Sequence, residues 1–219
     1  MSGSSSNFQL RAYIFIDRLQ PQLAHFIAKD NRVYDPSEYD AALMLELAPA
    51  MEIHRMINQA LKSTKSRLDS VVTEREFGLM QVQHADQGEV IEAGESVLRQ
   101  TGLTQADRSK VDVVTNMIIR GVEQDHAIYF TGTSKGNMVL AQESVFILET
   151  RPAAYLALAC NEALKAGRVK LITIQPFGAT GRLVMSGPEA EIDVAAEAGL
   201  KSLEWLNEDL AARKANKGR

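Results

Sequence analysis

Leu45-Glu46 … Pro49-Ala50 … Asn58 … Ala60-Leu61-Lys62 is written a second time in this chain, as Leu148-Glu149 … Pro152-Ala153 … Asn161 … Ala163-Leu164-Lys165. Every residue meets its counterpart 103 positions later, as Glu46 does at Glu149. The match extends to the pattern of apolar positions. Ile53, Met56, Ile57, Ala60 and Leu61 follow the i, i+3, i+4, i+7, i+8 spacing that places side chains on one helical face. Their counterparts Leu156, Ala159, Cys160, Ala163 and Leu164 are again apolar or small. Two copies of one supersecondary unit account for a repeated core-facing stripe as well as repeated letters.

With 219 residues the chain has room for two domains of about 100 residues, a common domain size. Hydrophobic residues make up 45% and charged residues 24%, the composition of an ordinary soluble globular protein. No apolar run reaches the roughly 20 residues that a membrane-spanning helix needs. The formal net charge of −4 provides no broad basic footprint for nucleic acid. Residues 1–7 have neither a basic n-region nor an apolar h-region, so they read as a flexible tail rather than a signal peptide, and a cytoplasmic location follows. Cys160 lacks an intramolecular disulfide partner and reads as a buried small hydrophobe. Arg213, Lys214, Lys217 and Arg219 suit the negative end of a helix.

In the first half, strands are expected at 10–17, 41–47, 71–73 and 79–84. Helices are expected at 21–28, from Pro49 to Lys62, and at about 89–99. Over 79–84 the alternation places Met80, Val82 and His84 on one face and Leu79, Gln81 and Gln83 on the other. The second half repeats the order, with strands at 111–119, 139–148, 169–174 and 182–186. Its helices fall at 124–130, 153–165 and 189–205, with a Gly-containing link at 131–137. Each half is thus an α+β unit, helices packed on a small sheet. The divisions expected are a tail over 1–7, domains over 8–104 and 105–206, and a charged tail over 207–219.

From Val145 the second half reads Val-Phe-Ile-Leu-Glu-Thr-Arg-Pro-Ala-Ala, then Asn-Glu-Ala-Leu-Lys-Ala-Gly-Arg-Val-Lys-Leu-Ile, then Gly-Arg-Leu-Val-Met-Ser-Gly and Ala-Ala-Glu-Ala-Gly. These motifs, in this order, resemble the bacterial microcompartment (BMC) shell-domain family. The first half carries a fainter version in Glu46 … Pro49, Ala60-Leu61-Lys62 and Glu92-Ala93-Gly94. Two such domains in one chain resemble the tandem-domain shell proteins, which form pseudo-hexameric trimers. The strands at 10–17 and 111–119 come first where the common order places them last, which resembles the circularly permuted form of the ferredoxin-like domain. The carboxysomal gated-pore stacking trimers belong to that group.

The resemblance implies a shell tile, with a central pore lined by the loop after the third family strand. In the second half that loop is Gln175-Pro176-Phe177-Gly178-Ala179-Thr180-Gly181, small and neutral. In the first it is Glu74-Arg75-Glu76-Phe77-Gly78, whose Glu-Arg pair resembles that of the gated trimers. Like charges converging on a threefold axis repel, whereas Glu74 and Arg75 of neighbouring chains attract, so two loop arrangements of similar free energy are expected. Gly78 is expected to supply backbone freedom for the change. By the same resemblance, Lys62 and Lys165 lie at the lattice edge. A lysine at a helix C-terminus is also favourable for the dipole alone.

The implied partners are further copies of the chain, in a homotrimer or stacked trimers, other shell proteins, and small metabolites passing through the pore. The implied location is a microcompartment shell in the cytoplasm. His25, His54, His84 and His126 are too dispersed for a zinc site, and no other metal or cofactor is implied. The segment Gly178-Ala-Thr-Gly181 lacks the Lys-Ser/Thr of a P-loop, and no nucleophilic triad can be assembled, so no enzyme is expected. A small-ligand regulatory protein built from duplicated ferredoxin-like domains is the alternative, with its ligand between the domains.

Overall fold

The computed structural model of the chain describes residues 8–31 and 38–217. The expected tail over 1–7, residues 32–37, and the last two residues of the expected charged tail lie outside the described residues. The first half forms strand β1 (Gln9–Ile16), helix α1 (Pro21–Asn31), strand β2 (Ala41–Ala48), helix α2 (Ile53–Ser63), strands β3 (Arg67–Thr73) and β4 (Gly78–His84) and helix α3 (Gln87–Thr101). The second half repeats this as β5 (Asp112–Ile119), α4 (Gln124–Thr133), β6 (Ser144–Arg151), α5 (Leu156–Ala166), β7 (Lys170–Gln175), β8 (Gly181–Gly187) and α6 (Glu189–Lys217). Each half closes one antiparallel sheet, in the orders β1-β2-β4-β3 and β5-β6-β8-β7.

The 103-residue period survives in three dimensions down to irregularities. The register shift between Leu10 and Ala12 recurs between Val113 and Thr115, and that between Leu68 and Ser70 recurs between Leu171 and Thr173. Tyr39 and Gln142 both have positive φ, and their amides donate to the carbonyls of Leu19 and Val122 at 2.9 Å in each case. The last helices depart from the period. The Lys65 amide donates to Glu89 Oε2 at 2.7 Å and the Arg168 amide to Glu191 Oε2 at 2.6 Å. Those two glutamates stand 102 positions apart, so Gly94 falls opposite Ala196 rather than Gly199. The triplets Glu92-Ala93-Gly94 and Glu197-Ala198-Gly199 are therefore not structural counterparts.

Several elements depart from their expected bounds, two strands for reasons of pairing and the last helix because of a side-chain brace. β3 begins at Arg67, because the bulge around Asp69 breaks the alternation that would reveal a strand. β6 begins only at Ser144, opposite Gly187, since residues 139–143 have no further ladder partner and turn at Gln142, and of them only Val139 is a strong strand former. α6 runs to Lys217 rather than ending near Trp205. Its last turns rest on the connection between the halves. The Arg108 side chain, 2% exposed, donates to the Leu206 carbonyl at 3.0 Å and to Asp209 at 2.7 Å, and Lys217 Nζ donates to Asp107 at 2.7 Å.

The two halves are packed unequally. β2 and β4 send Leu43, Leu45, Met80 and Val82 into a core beneath α2 and α3. The opposite face of the same sheet, with Ile14, Met44 and Leu79, joins α1 and α5 in a second core that continues into the second sheet and α6. Both faces of β4 are therefore buried, including Gln81 and Gln83, where alternation alone suggested a polar outer face. α5 lies between the sheets and buries Leu156 through Asn161 without interruption, including Cys160. Its counterpart α2 buries only Ile53, Met56, Ile57 and Ala60.

Candidate pore loops and the family of the chain

The first loop connects β3 to β4 in four residues. Thr73 pairs with Gly78, and the Glu74 amide donates to the Phe77 carbonyl at 2.9 Å, so the hairpin closes tightly and presents Glu74, Arg75 and Glu76 to solvent. Among the described residues, none of these three side chains has an ion-pair partner. Phe77 is the anchor. Its ring lies 3.6 Å beneath the Arg11 guanidinium, a cation–π contact. Arg11 Nη1 in turn reaches Glu46 Oε1 at 3.5 Å, and both side chains are buried. Burial pushes the Glu46 carboxyl up to about 7, against the pull of Arg11 and of the Ala154 backbone.

Gly78 does not act as the expected hinge. It is buried in β4, and a Cβ there would collide with the Ala50 carbonyl and with Ile53. Gly181 meets the same limit against Ala153 and Leu156. The glycine is repeated because the turn that opens α2, and likewise the turn that opens α5, passes directly over the strand.

The second loop, 176–180, is held differently. Gly178 has φ +99°, a conformation that favours glycine. Phe177 folds back onto the shared core, and with Pro176 and Ile174 it lines a small cavity completed by Phe26, Val72 and Leu79 of the first half. The second loop thus docks on the first domain's sheet, and β3, which carries the charged loop, runs beside it. The structure brings the two loops to neighbouring positions: one is a neutral, half-buried loop whose Phe177 packs against the core, the other an exposed charged hairpin. Ala179 and Thr180 complete the neutral loop without a charge.

The two lysines also part company. Lys165 Nζ donates to Asp17 at 3.0 Å and to Glu162 at 2.9 Å, which raises its affinity for the proton above the usual lysine value despite partial burial. The counterparts of Asp17 and Glu162 are Arg120 and Gln59, and Lys62 is exposed with no ion pair among the described residues. Arg11 was not a candidate on sequence grounds. Its signal was weak, a basic residue within an otherwise apolar strand, and its partners come from three separate elements.

Over residues 10–107 the chain matches the family described as the CsoS1D N-terminal domain, and over 144–214 the BMC domain. It is 43% identical over 199 residues to the carboxysome shell protein CsoS1D of Hydrogenovibrio crunogenus, covering 90% of this chain and 97% of that protein. The chain belongs to the bacterial microcompartment shell protein family. It is also 39% identical to the carboxysome shell protein CcmP of Synechococcus elongatus, over 91% of this chain and 93% of that one.

Among solved structures, the fused permuted hexameric shell protein MSM0275 from the RMM microcompartment superposes with a TM-score of 0.88 at 35% identity, covering 91% of this chain and 98% of that one. The double ringed trimeric shell protein MSM0271 from the same microcompartment gives 0.85 at 32% identity, over 90% and 97%. The two sheet-and-helix units are accordingly tandem, circularly permuted BMC domains. The chain is a structural component of a microcompartment shell and not an enzyme, and the reading as a small-ligand regulatory protein is set aside.

Proposed function

We propose that this shell protein closes into a homotrimeric ring whose six domains tile a shell facet, and that the Glu74-Arg75 hairpin gates the pore at its centre for small metabolites. The contrast between the two loops carries this reading. Phe177 packs against the core, whereas Glu74, Arg75 and Glu76 stand on an exposed hairpin tip whose nearest side-chain anchor is Phe77. Three such tips around one axis bring six carboxylates, from Glu74 and Glu76, and three Arg75 guanidiniums within reach of one another. Pairing across the axis occludes the opening, and withdrawal leaves a polar hole that selects by size and charge. The neutral loops, with Pro176, Phe177, Gly178, Ala179 and Thr180, form the fixed half of the rim.

The domains are taken to meet at residues 104 and 105. The relatives named for carboxysome shells make such a shell the first setting to examine, and the double ringed relative makes stacking of trimers worth the same test. The decisive experiment is single-channel conductance of rings in a planar bilayer, wild type against the Glu74→Ala, Arg75→Ala variant. The expected outcome is loss of the low-conductance state and a persistently open pore. Identical gating in the two proteins would sink the gate.

A further inference from the structure

The charged hairpin rests on a buried ion pair that the second half does not repeat. The Arg11 guanidinium lies 3.6 Å from the centre of the Phe77 ring and its Nη1 is 3.5 Å from Glu46 Oε1, with the two side chains 8% and 2% exposed. Glu46 Oε2 has no hydrogen-bond partner among the described residues. The counterparts of Arg11, Glu46 and Phe77 are Val114, Glu149 and Thr180. Glu149 is the better satisfied glutamate: its oxygens accept from Thr115 Oγ1 at 2.8 Å and from Arg182 Nε at 3.0 Å, and its side chain is 23% exposed. Only the copy beneath the charged hairpin has been left dry and short of donors.

The other groups around Glu46 leave Arg11 as its counter-charge. Its ladder neighbours are Ala12 on β1 and Leu79 on β4. The turn before α5 contributes the Ala154 amide, which donates to Glu46, and the Tyr155 hydroxyl, which donates to the Ser109 carbonyl at 2.7 Å. Burial raises that hydroxyl above its usual range, so it keeps its proton. Arg108, from the connection between the halves, acts on Tyr155 and is committed to Leu206 and Asp209. No histidine is among these groups. Asp69 lies two strands away on β3, bonded to Gln81, and titrates at about 6, below the value of about 7 at Glu46.

We propose that Glu46 and Arg11 form a pH-sensitive latch on the charged hairpin: ionised Glu46 holds Arg11 in its stack on Phe77, and protonation of Glu46 frees Arg11 to take the hairpin's own carboxylates. A buried guanidinium that loses its counter-charge is costly, and Arg11 has no second ion pair among the described residues. The carboxylates placed to replace Glu46 are Glu76, next to Phe77 in the chain, and Glu74, whose amide donates to the Phe77 carbonyl. Either one draws the tip towards the wall and costs Phe77 its cation–π anchor. The consequence for the pore rests on the gate proposed above: a tip drawn back leaves the axis, so acid is the opening condition. Two pH units centred on about 7 change the ratio of neutral to ionised Glu46 about a hundredfold.

The test follows hairpin and pore separately on the full chain, from about pH 8.5 to about pH 5.5: amide exchange over 74–77, corrected for the intrinsic effect of pH, and single-channel conductance. Wild-type exchange is expected to quicken about fivefold as pH falls through about 7, and the open fraction to rise over the same range. Glu46→Gln should show fast exchange throughout and no step, whereas Asp69→Asn should keep the step. Phe77→Leu removes the stack without touching the buried pair and should also abolish the step. A wild-type turn with no step, or an undiminished step in Glu46→Gln or Phe77→Leu, would overturn the latch and leave the gate to the Glu74→Ala, Arg75→Ala comparison. A step that Glu46→Gln abolishes, with conductance constant across it, would keep the latch and remove the gate.

Discussion

Glu46 is 2% exposed, 3.5 Å from Arg11, and is the link between the base of the charged hairpin and the second domain. Its folded carboxyl titrates near 7 rather than at its ordinary value of 4.5, because burial disfavours the charge more than Arg11 favours it. The folded state therefore holds the proton more tightly than the unfolded chain. The resulting stabilisation is complete below the ordinary value and is lost as pH rises through about 7. Asp69, raised by burial to about 6 beside Gln81, adds a loss of the same sign at slightly lower pH. Thermal melts of the wild type should fall from acid to neutral pH. Glu46→Gln should flatten that slope by on the order of 3 kcal/mol, and an unchanged slope would refute the assignment. The sequence showed Glu46 as a repeated letter, but its environment depends on Arg11 from another strand and on a helix from the other half. The same holds for Gly78, legible as a glycine beside a loop, whose reason is the carbonyl packed against it.

Elements were legible wherever local pattern and tertiary environment agreed. The apolar stripes of α2 and α5 announced both helices, and the β4 alternation gave the strand its correct geometry. Pattern failed where pairing decided. Residues 139–143 open on the apolar Val139 and Leu140 but have no ladder partner, and β3 conceals its length behind a bulge. The end of α6 belongs to the second kind of failure. Its charged residues favour a helix but provide little apolar stripe, and what holds the last turns is Arg108, buried under Leu206 and Asp209. Replacing Arg108 by methionine removes the brace on the Leu206 carbonyl and leaves Asp209 with Arg213 as its partner. We expect a loss of about 1–3 kcal/mol in stability and faster amide exchange over 207–217. Normal exchange there would show that α6 needs no such brace.

For the whole molecule the two lysines test the outline of the tile. Lys165 is held by Asp17 and Glu162 inside the interdomain contact, whereas Lys62 stands free of ion pairs among the described residues. Lys62→Asp is therefore expected to abolish extended sheets in electron micrographs while rings persist. Lys165→Asp should lower the melting temperature of the chain itself, and sheets that survive Lys62→Asp would remove that lysine from the edge. By itself the sequence determined the duplication, the two permuted domains, the family and the contrast between a charged and a neutral loop. All of these reside in the order and type of residues along one chain. Only the tertiary structure decided which copy of each repeated surface is covered. Burial depends on what the other half of the molecule places against a side chain: Asn161 and Asn58 are the same residue at the same place in two equivalent helices, one a buried latch and the other exposed.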